Sequence, residues 1–177
     1  MIRRFTAERH RARLVVSLTS ADPMQRRELL PVEQRHPTPD LIQALREYHA
    51  VSGQLVTLAW TVISGVNVGE DHAQRLADLT RGLPIKLDLI DVNDPTGRFR
   101  PPARMELDAF CDALRARLAM PVVRRYSGGQ DIQGACGMPA GVGVSPILAH
   151  PRALSAQETA MFSMLFPLRI SPVAIVK

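Results

Sequence analysis

Cysteine is scarce in this sequence, with only Cys111 and Cys136 among 177 residues. Two thiols cannot build the disulfide framework of a small secreted domain, and one chain cannot supply four cysteines to a zinc ion. Histidine does not fill the gap, because His10, His36 and His49 show no metal-ligand spacing. The sequence therefore excludes a disulfide-stapled scaffold and a four-cysteine zinc module.

Long apolar runs and lysine are also scarce. No run approaches the roughly 18–20 apolar residues that span a bilayer, and the N-terminus lacks a signal-peptide core, so we expect a cytoplasmic protein without a membrane partner. Lys86 and Lys177 are the only lysines among 22 basic residues, and the net charge is +5. Arginine suits phosphate and RNA, although an ordinary solvated arginine-rich surface explains the same composition.

What is present is typical of a soluble globular domain: 46% hydrophobic and 22% charged residues. Apolar segments rich in β-branched residues predict strands, and apolar residues at helical spacing predict helices between them. Strands are predicted at 14–18, 55–63, 85–92 and 121–126, and helices at 39–52, 69–81 and 103–118. This alternation predicts an α/β fold with about four parallel strands, equivalent to half of a βα barrel.

The first predicted strand, 14–18, has no predicted strand to pair with along one of its edges. Parallel strands are normally paired on both sides, so an open edge here would favour association with other chains. We therefore expect further βα units upstream, with residues 2–8 as the end of a helix. On the same ground we expect the isolated chain to be poorly soluble or oligomeric.

The alternation weakens after residue 138. We therefore divide the chain into a barrel portion, 1–138, and a tail, 139–177, punctuated by glycine and proline and of unknown role. One helix is predicted near 155–166, where Ser155 and Glu158 have the spacing of a capping box.

Polar residues follow the predicted strands, at the edge where ligands bind in βα folds. Ser17 and Asn93 offer hydrogen bonds to a polar ligand. Helix caps at Ser20 or Asp22 and an Asx turn at Asn93 explain much of the same pattern without a ligand. The joint occurrence of these residues on one rim favours a site.

The glycine-rich segment 128–137 places Cys136 in a loop after the fourth predicted strand. Its glycines leave the backbone free to adopt positive φ and let a ligand approach closely. Cys111 instead falls on the apolar stripe of the third predicted helix, where a small buried hydrophobe is expected. Cys136 is thus the candidate reactive thiol, with a structural thiol as the alternative.

Several segments of residues 2–137 resemble, in order, the C-terminal half of the RlmN/Cfr radical S-adenosylmethionine RNA methyltransferases. The most specific is Gln130-Asp131-Ile132-Gln133-Gly134-Ala135-Cys136-Gly137. The others are Val15-Val16-Ser17-Leu18-Thr19, Arg26-Arg27-Glu28-Leu29-Leu30-Pro31-Val32, Gly65-Val66-Asn67, and Leu83-Pro84-Ile85-Lys86-Leu87-Asp88-Leu89-Ile90 with Asn93.

The resemblance implies a partial βα barrel that methylates an adenine carbon of ribosomal or transfer RNA. It implies that Cys136 is a catalytic methyl carrier and that Ser17, Leu18, Thr19 and Asn93 bind the cofactor S-adenosylmethionine. The family also uses a 4Fe–4S cluster held by a CxxxCxxC motif, which is absent from this chain.

Activity on this interpretation requires a separate N-terminal half that supplies the cluster. The first alternative is a non-catalytic remnant that binds RNA or a protein partner through its arginines. A second alternative is an unrelated small α/β binding protein. Upstream coding sequence with the CxxxCxxC motif would favour the methyltransferase interpretation.

Overall fold

A computed structural model describes residues 1–10, 12–125 and 174–176. The predicted α/β fold with four parallel strands is confirmed, and each predicted strand and helix in this part of the chain lies within two residues of its observed bounds. The elements in order are α1 (Ile2–Ala7), β1 (Leu14–Ser17), α2 (Pro23–Leu29), a 3₁₀ turn (Pro31–Gln34), α3 (Thr38–Ser52), β2 (Val56–Val62), α4 (Glu70–Leu79), β3 (Ile85–Asp91), α5 (Arg104–Arg117), β4 (Val122–Arg125) and β5 (Ala174–Val176).

The strands form one sheet in the order β4-β3-β2-β1-β5, and every neighbouring pair is parallel. Their C-terminal ends therefore meet at one edge of the sheet. The register aligns Ser17 with Ala59, and Ala59 with Asp88. This alignment fixes which side chains can share a ligand at the strand ends.

Alternate strand residues face the helices and form the core, and we call this side the helix face. Trp60 is fully buried there, with its ring centroid 6.2 Å from that of Phe110 in α5. The helix face also includes the strand residues Leu14, Val16, Val56, Leu58, Val62, Ile85, Leu87 and Leu89. On β1, β2 and β3 the opposite face, which we call the polar face, carries Val15, Ser17, Thr57, Ala59, Thr61, Lys86, Asp88 and Ile90.

Helix α2 was not predicted. It has seven residues, too few to show a helical apolar stripe. Its start is nevertheless marked in the sequence: the Asp22 carboxylate accepts hydrogen bonds from the backbone N–H groups of Met24 (2.8 Å) and Gln25 (3.3 Å), and Pro23 occupies the first helical position. Of the two alternative caps, Ser20 and Asp22, the structure places Asp22 at the N-cap.

The expected open edge at β1 is wrong for this structure. Strand β5, which belongs to the predicted tail 139–177, pairs with β1 in parallel and covers that edge. The ground on which an oligomeric chain was expected is thereby removed. The division into barrel portion and tail stays a prediction.

Two predicted features lie outside the described residues: the Cys136 loop and the helix near 155–166. Among the described helices, none is long and apolar enough to cross a membrane.

Candidate functional site

The polar face carries a row of aligned residues level with the C-terminal end of β1 and the middle of β2 and β3. Ser17, Ala59 and Asp88 lie side by side on β1, β2 and β3. Neighbouring strands are about 4.8 Å apart, so Ser17 and Asp88 are separated by roughly 10 Å. The short side chain of Ala59 lies between them and is itself buried.

Ser17 is the last residue of β1 and is half-buried. Its backbone carbonyl accepts a long hydrogen bond from Arg26 Nη2 at 3.4 Å, whereas its Oγ has no hydrogen-bond partner among the described residues. The hydroxyl is therefore available to donate to, or accept from, a ligand on the polar face.

The next two residues turn the chain away from the strand. The Leu18 side chain is fully buried in the core, and its backbone N–H donates to the Ala59 carbonyl at 2.9 Å. Thr19 is 5% exposed and has a φ of 60°. A β-branched residue rarely adopts this left-handed conformation, which costs about 1–3 kcal/mol.

Asn67 holds this turn in place. Its side chain is completely buried, and its Nδ2 donates to the carbonyls of Thr19 and Thr61, both at 2.7 Å. Its Oδ1 accepts from the Ile63 N–H at 2.8 Å. One amide thus joins the strained residue after β1 to the end of β2, and this contact stabilises the conformation of Thr19.

A buried ion pair between Arg26 and Glu33 holds the backbone at the end of β1 in position. Arg26 is 2% exposed and donates from Nε to the Leu18 carbonyl at 3.1 Å and from Nη1 to the Glu33 carboxylate. Glu33 is 3% exposed and also accepts from the Thr38 N–H at 2.8 Å. The guanidinium therefore uses its fixed fork to hold the carbonyls of Ser17 and Leu18 in position.

Asn93 lies two residues beyond β3, at the same end of the sheet as Ser17. An Asx turn was the alternative explanation for Asn93. In the structure the neighbouring Asp94 forms that turn instead, and its carboxylate accepts from the N–H groups of Thr96 and Phe99, both at 2.9 Å. Asp94 thereby folds the loop after β3, and the half-buried Asn93 amide is not used in that turn.

Glu106 of α5 holds the loop after β2, which in turn is hydrogen-bonded to the loop after β3. Its carboxylate accepts from Ser64 Oγ at 2.8 Å and from the Gly65 N–H at 3.1 Å. The Ser64 N–H in turn donates to the Arg100 carbonyl at 2.9 Å. The hydrogen bond from Ser64, followed by that from Gly65, holds the pKa of Glu106 below its usual value. The carboxylate is thus charged when the loops are joined.

Asp88 is a buried carboxylate on the polar face, with a side chain only 4% exposed. Its Oδ2 accepts from Arg125 Nε at 2.5 Å, and its Oδ1 lies 3.1 Å from Lys86 Nζ. The Lys86 contact is an ion pair whose angles fall outside hydrogen-bond geometry, since Oδ1 has no hydrogen-bond partner among the described residues. Asp88 thus links β3 to β4 through Arg125. Asp88, Lys86 and Arg125 together carry one net positive charge.

The loop after Asn93 also carries exposed arginines. Arg98 and Arg100 are exposed, and the Arg98 guanidinium lies 4.9 Å from the centroid of the Phe99 ring. Guanidinium groups beside an aromatic ring suit both phosphate and base contacts. A basic surface thus adjoins the strand ends.

The described residues do not fit an iron–sulfur cluster. Within them, no group of three or more histidine, cysteine, aspartate or glutamate side chains is arranged to hold a metal ion. Cys111 is buried in α5, as predicted, and burial raises the pKa of its thiol. A protonated thiol in the apolar core is a poor iron ligand.

Of the predicted site residues, the structure brings Ser17, Leu18 and Thr19 into one turn and places Asn93 at the same edge of the sheet. Cys136 lies outside the described residues. Asn67 was named among the residues after the second predicted strand and in the Gly65-Val66-Asn67 resemblance, but its supporting role was missed. The roles of the buried residues Arg26, Glu33 and Asp88 were missed as well.

No protein-family model matches the chain, but individual RNA methyltransferases are similar to most of it. It is 52% identical over 139 residues to a probable RNA methyltransferase of Anaeromyxobacter sp. (strain Fw109-5), covering 78% of this chain and 41% of that protein. A probable RNA methyltransferase of Myxococcus xanthus (strain DK1622) is 48% identical over 136 residues, covering 77% of this chain and 38% of that protein.

A dual-specificity RNA methyltransferase RlmN of Anaeromyxobacter dehalogenans (strain 2CP-C) is 36% identical over 143 residues, which cover 80% of this chain and 38% of that protein. The crystal structure of a radical SAM methyltransferase from Sphaerobacter thermophilus superposes with a TM-score of 0.73 at 37% identity, covering 78% of this chain and 41% of that one. This chain thus spans about two fifths of the length of these relatives, and its sequence and fold match the C-terminal portion of RlmN-like radical SAM RNA methyltransferases.

Proposed function

We propose that this chain forms the C-terminal half of an RlmN-like methyltransferase that modifies an adenine carbon of ribosomal or transfer RNA. Ser17 and Asn93 bind S-adenosylmethionine at the strand ends, beside the turn that Leu18 and Thr19 form, and Cys136 accepts its methyl group. The observation that carries the proposal is the unpartnered Ser17 hydroxyl at the end of a strand whose conformation is held by Asn67 and Arg26. Strained residues such as Thr19 concentrate at functional sites.

The methyl transfer to Cys136 is a displacement at carbon. The thiolate sulfur attacks the methyl carbon of S-adenosylmethionine, and a sulfur–carbon bond forms while the sulfonium–methyl bond breaks. S-adenosylhomocysteine leaves with the electron pair of the broken bond. The sequence holds no CxxxCxxC motif, so RNA methylation on this proposal requires an N-terminal half that supplies the 4Fe–4S cluster.

Calorimetric titration of the 177-residue chain with S-adenosylmethionine tests the proposal. We expect binding, and we expect Ser17→Ala and Asn93→Ala each to weaken it at least tenfold. Ser52→Ala is the matched control, because Ser52 lies at the end of α3 and hydrogen-bonds the Tyr48 carbonyl. Failure of the unmodified chain to bind, or equal weakening by Ser52→Ala, would contradict the assigned site.

The alternative function, RNA binding without catalysis, is favoured by one observation: the exposed Arg98 and Arg100 on the loop after Asn93. Removal of both should weaken RNA binding and lower its salt dependence by nearly two counterions. Arg81→Ala with Arg115→Ala is the control, since both are exposed on other surfaces. RNA binding by a chain that does not bind S-adenosylmethionine would support this alternative over the methyltransferase half.

A further inference from the structure

Strand β1 has a second side that is paired by a segment from the far end of the chain. On one side it pairs with β2, and on the other Leu14, Val15 and Val16 align with Ala174, Ile175 and Val176. Both pairings are parallel. The edge of β1 is therefore a place where an extended segment adds to the sheet through its backbone.

The backbone groups along this edge of β1 require hydrogen-bond partners. Leu14 and Val16 are 0% and 3% exposed, so β1 runs through the apolar core. Without β5, unpaired N–H and C=O groups would stand along that strand and would template pairing with another chain. Three paired residues are enough to cover most of a four-residue strand.

The segment that covers it has the composition of a short added strand. The sequence Val173-Ala174-Ile175-Val176 is apolar and mostly β-branched, which favours extended backbone. Pro172 precedes it and has no N–H to donate, and Lys177 follows it with a charge. Proline and lysine beside an apolar strand limit how far the pairing can extend.

The connection to this segment is long. Residues 126–173, 48 in number, separate β4 from β5, and the two strands lie at opposite edges of the described sheet. Only three aligned residue pairs join β5 to β1, whereas seven join β2 to β3. The pairing at this edge is therefore short.

We propose that the edge of β1 is a binding site for a short apolar β-strand in parallel orientation, and that residues 174–176 are its exchangeable occupant. In the free chain the C-terminal segment covers the edge and prevents self-association. A polypeptide that presents a comparable strand displaces it. The inference does not depend on S-adenosylmethionine binding or on Cys136.

A labelled synthetic peptide of residues 171–177 provides the probe. It should bind a chain that ends at residue 170 and bind the full-length chain at least tenfold more weakly, as measured by fluorescence anisotropy. The matched control is the same peptide with Ile175→Pro, which removes the central N–H and should not bind either chain. Equal affinity for both chains, or no affinity for the shortened chain, would overturn the proposal.

The oligomeric state gives an independent measurement. In sedimentation velocity the full-length chain should be monomeric, and the shortened chain should self-associate until the 171–177 peptide is added. If the shortened chain does not fold, amide hydrogen exchange is measured on the 177-residue chain instead. Amides that pair β1 with β5 should then exchange at least tenfold faster than those that pair β1 with β2, and equal protection of the two sets would refute exchange.

Discussion

The two faces of the sheet differ in what they contain and in what they contribute. The helix face is built from large side chains such as Trp60, Leu58 and Leu87, all fully buried against helices. The polar face carries Ser17 and Asp88, with the small Ala59 between them. Large apolar side chains are thus concentrated on one face, whereas the other carries small, polar and charged side chains. Substitutions on the two faces should therefore have different effects.

The largest effect is expected from Trp60→Ala on the helix face. Removing a fully buried indole that packs against Phe110 should lower the free energy of unfolding by about 4 kcal/mol. Thr61→Ala, one residue along β2 and on the polar face, is the control and should cost below about 1 kcal/mol. Urea denaturation measures both free energies of unfolding. Similar losses for the two variants would contradict the different contributions of the two faces.

Arg26→Met should lower the free energy of unfolding by about 3 kcal/mol, because it leaves the Glu33 carboxylate buried without its cation. The double variant Arg26→Met/Glu33→Leu should be more stable than Arg26→Met alone, since it also removes the buried charge. A double variant that is less stable than either single variant would show that the pair acts independently of its charges.

Asn67→Ala should cost about 2 kcal/mol, since Thr19, Thr61 and Ile63 each lose a hydrogen-bond partner in a buried place. Because Asn67 joins the two strand ends, we also expect weaker S-adenosylmethionine binding, measured by the same titration. Loss of stability with unchanged affinity for S-adenosylmethionine would show that Asn67 supports the fold and not the site.

Acid should loosen the loops by protonating Glu106. The pKa of this carboxyl is lower in the folded than in the unfolded state, so its contribution is fully present above the ordinary glutamate pKa. It is lost as the pH falls through the depressed pKa of the folded state. We expect Glu106→Gln to flatten this part of the stability–pH curve, measured by urea denaturation at several pH values. An unchanged curve would contradict the role given to Ser64 and Gly65.

The smallest effect on stability is expected for Ser17→Ala, below about 0.5 kcal/mol, because its Oγ has no partner among the described residues. The same substitution should have a large effect on S-adenosylmethionine affinity. A cost above 1 kcal/mol in urea denaturation would show that the hydroxyl belongs to the fold rather than to the site.

Much of the fold was predictable because each element carries a local signal. The alternation of Ile85–Asp91 marks β3, and the apolar stripe of α5 placed Cys111 in the core. Helix α2 was missed because seven residues are too short for periodicity, although Asp22 and Pro23 mark its start. Strand β5 was missed because three residues have no measurable pattern, even between Pro172 and Lys177.

The candidate site was predictable only in part. Ser17, Leu18, Thr19 and Asn93 were found because residues after parallel strands share one edge, and the role of Cys136 stays a prediction. The supporting contacts were not predicted because they join distant residues: Asn67 reaches Thr19 across 48 positions, and Arg125 reaches Asp88 across 37. No local pattern marks a hydrogen bond between residues so far apart.

The sequence by itself determined the order of strands and helices, the apolar face of each, and the rim on which Ser17 and Asn93 lie, since these follow from periodicity and from the parallel direction of the strands. The tertiary structure decided which residues hold that rim in shape and what covers the edge of β1. Backbone and buried polar groups must find partners wherever the folded chain brings them, and only the packed molecule shows which partners those are.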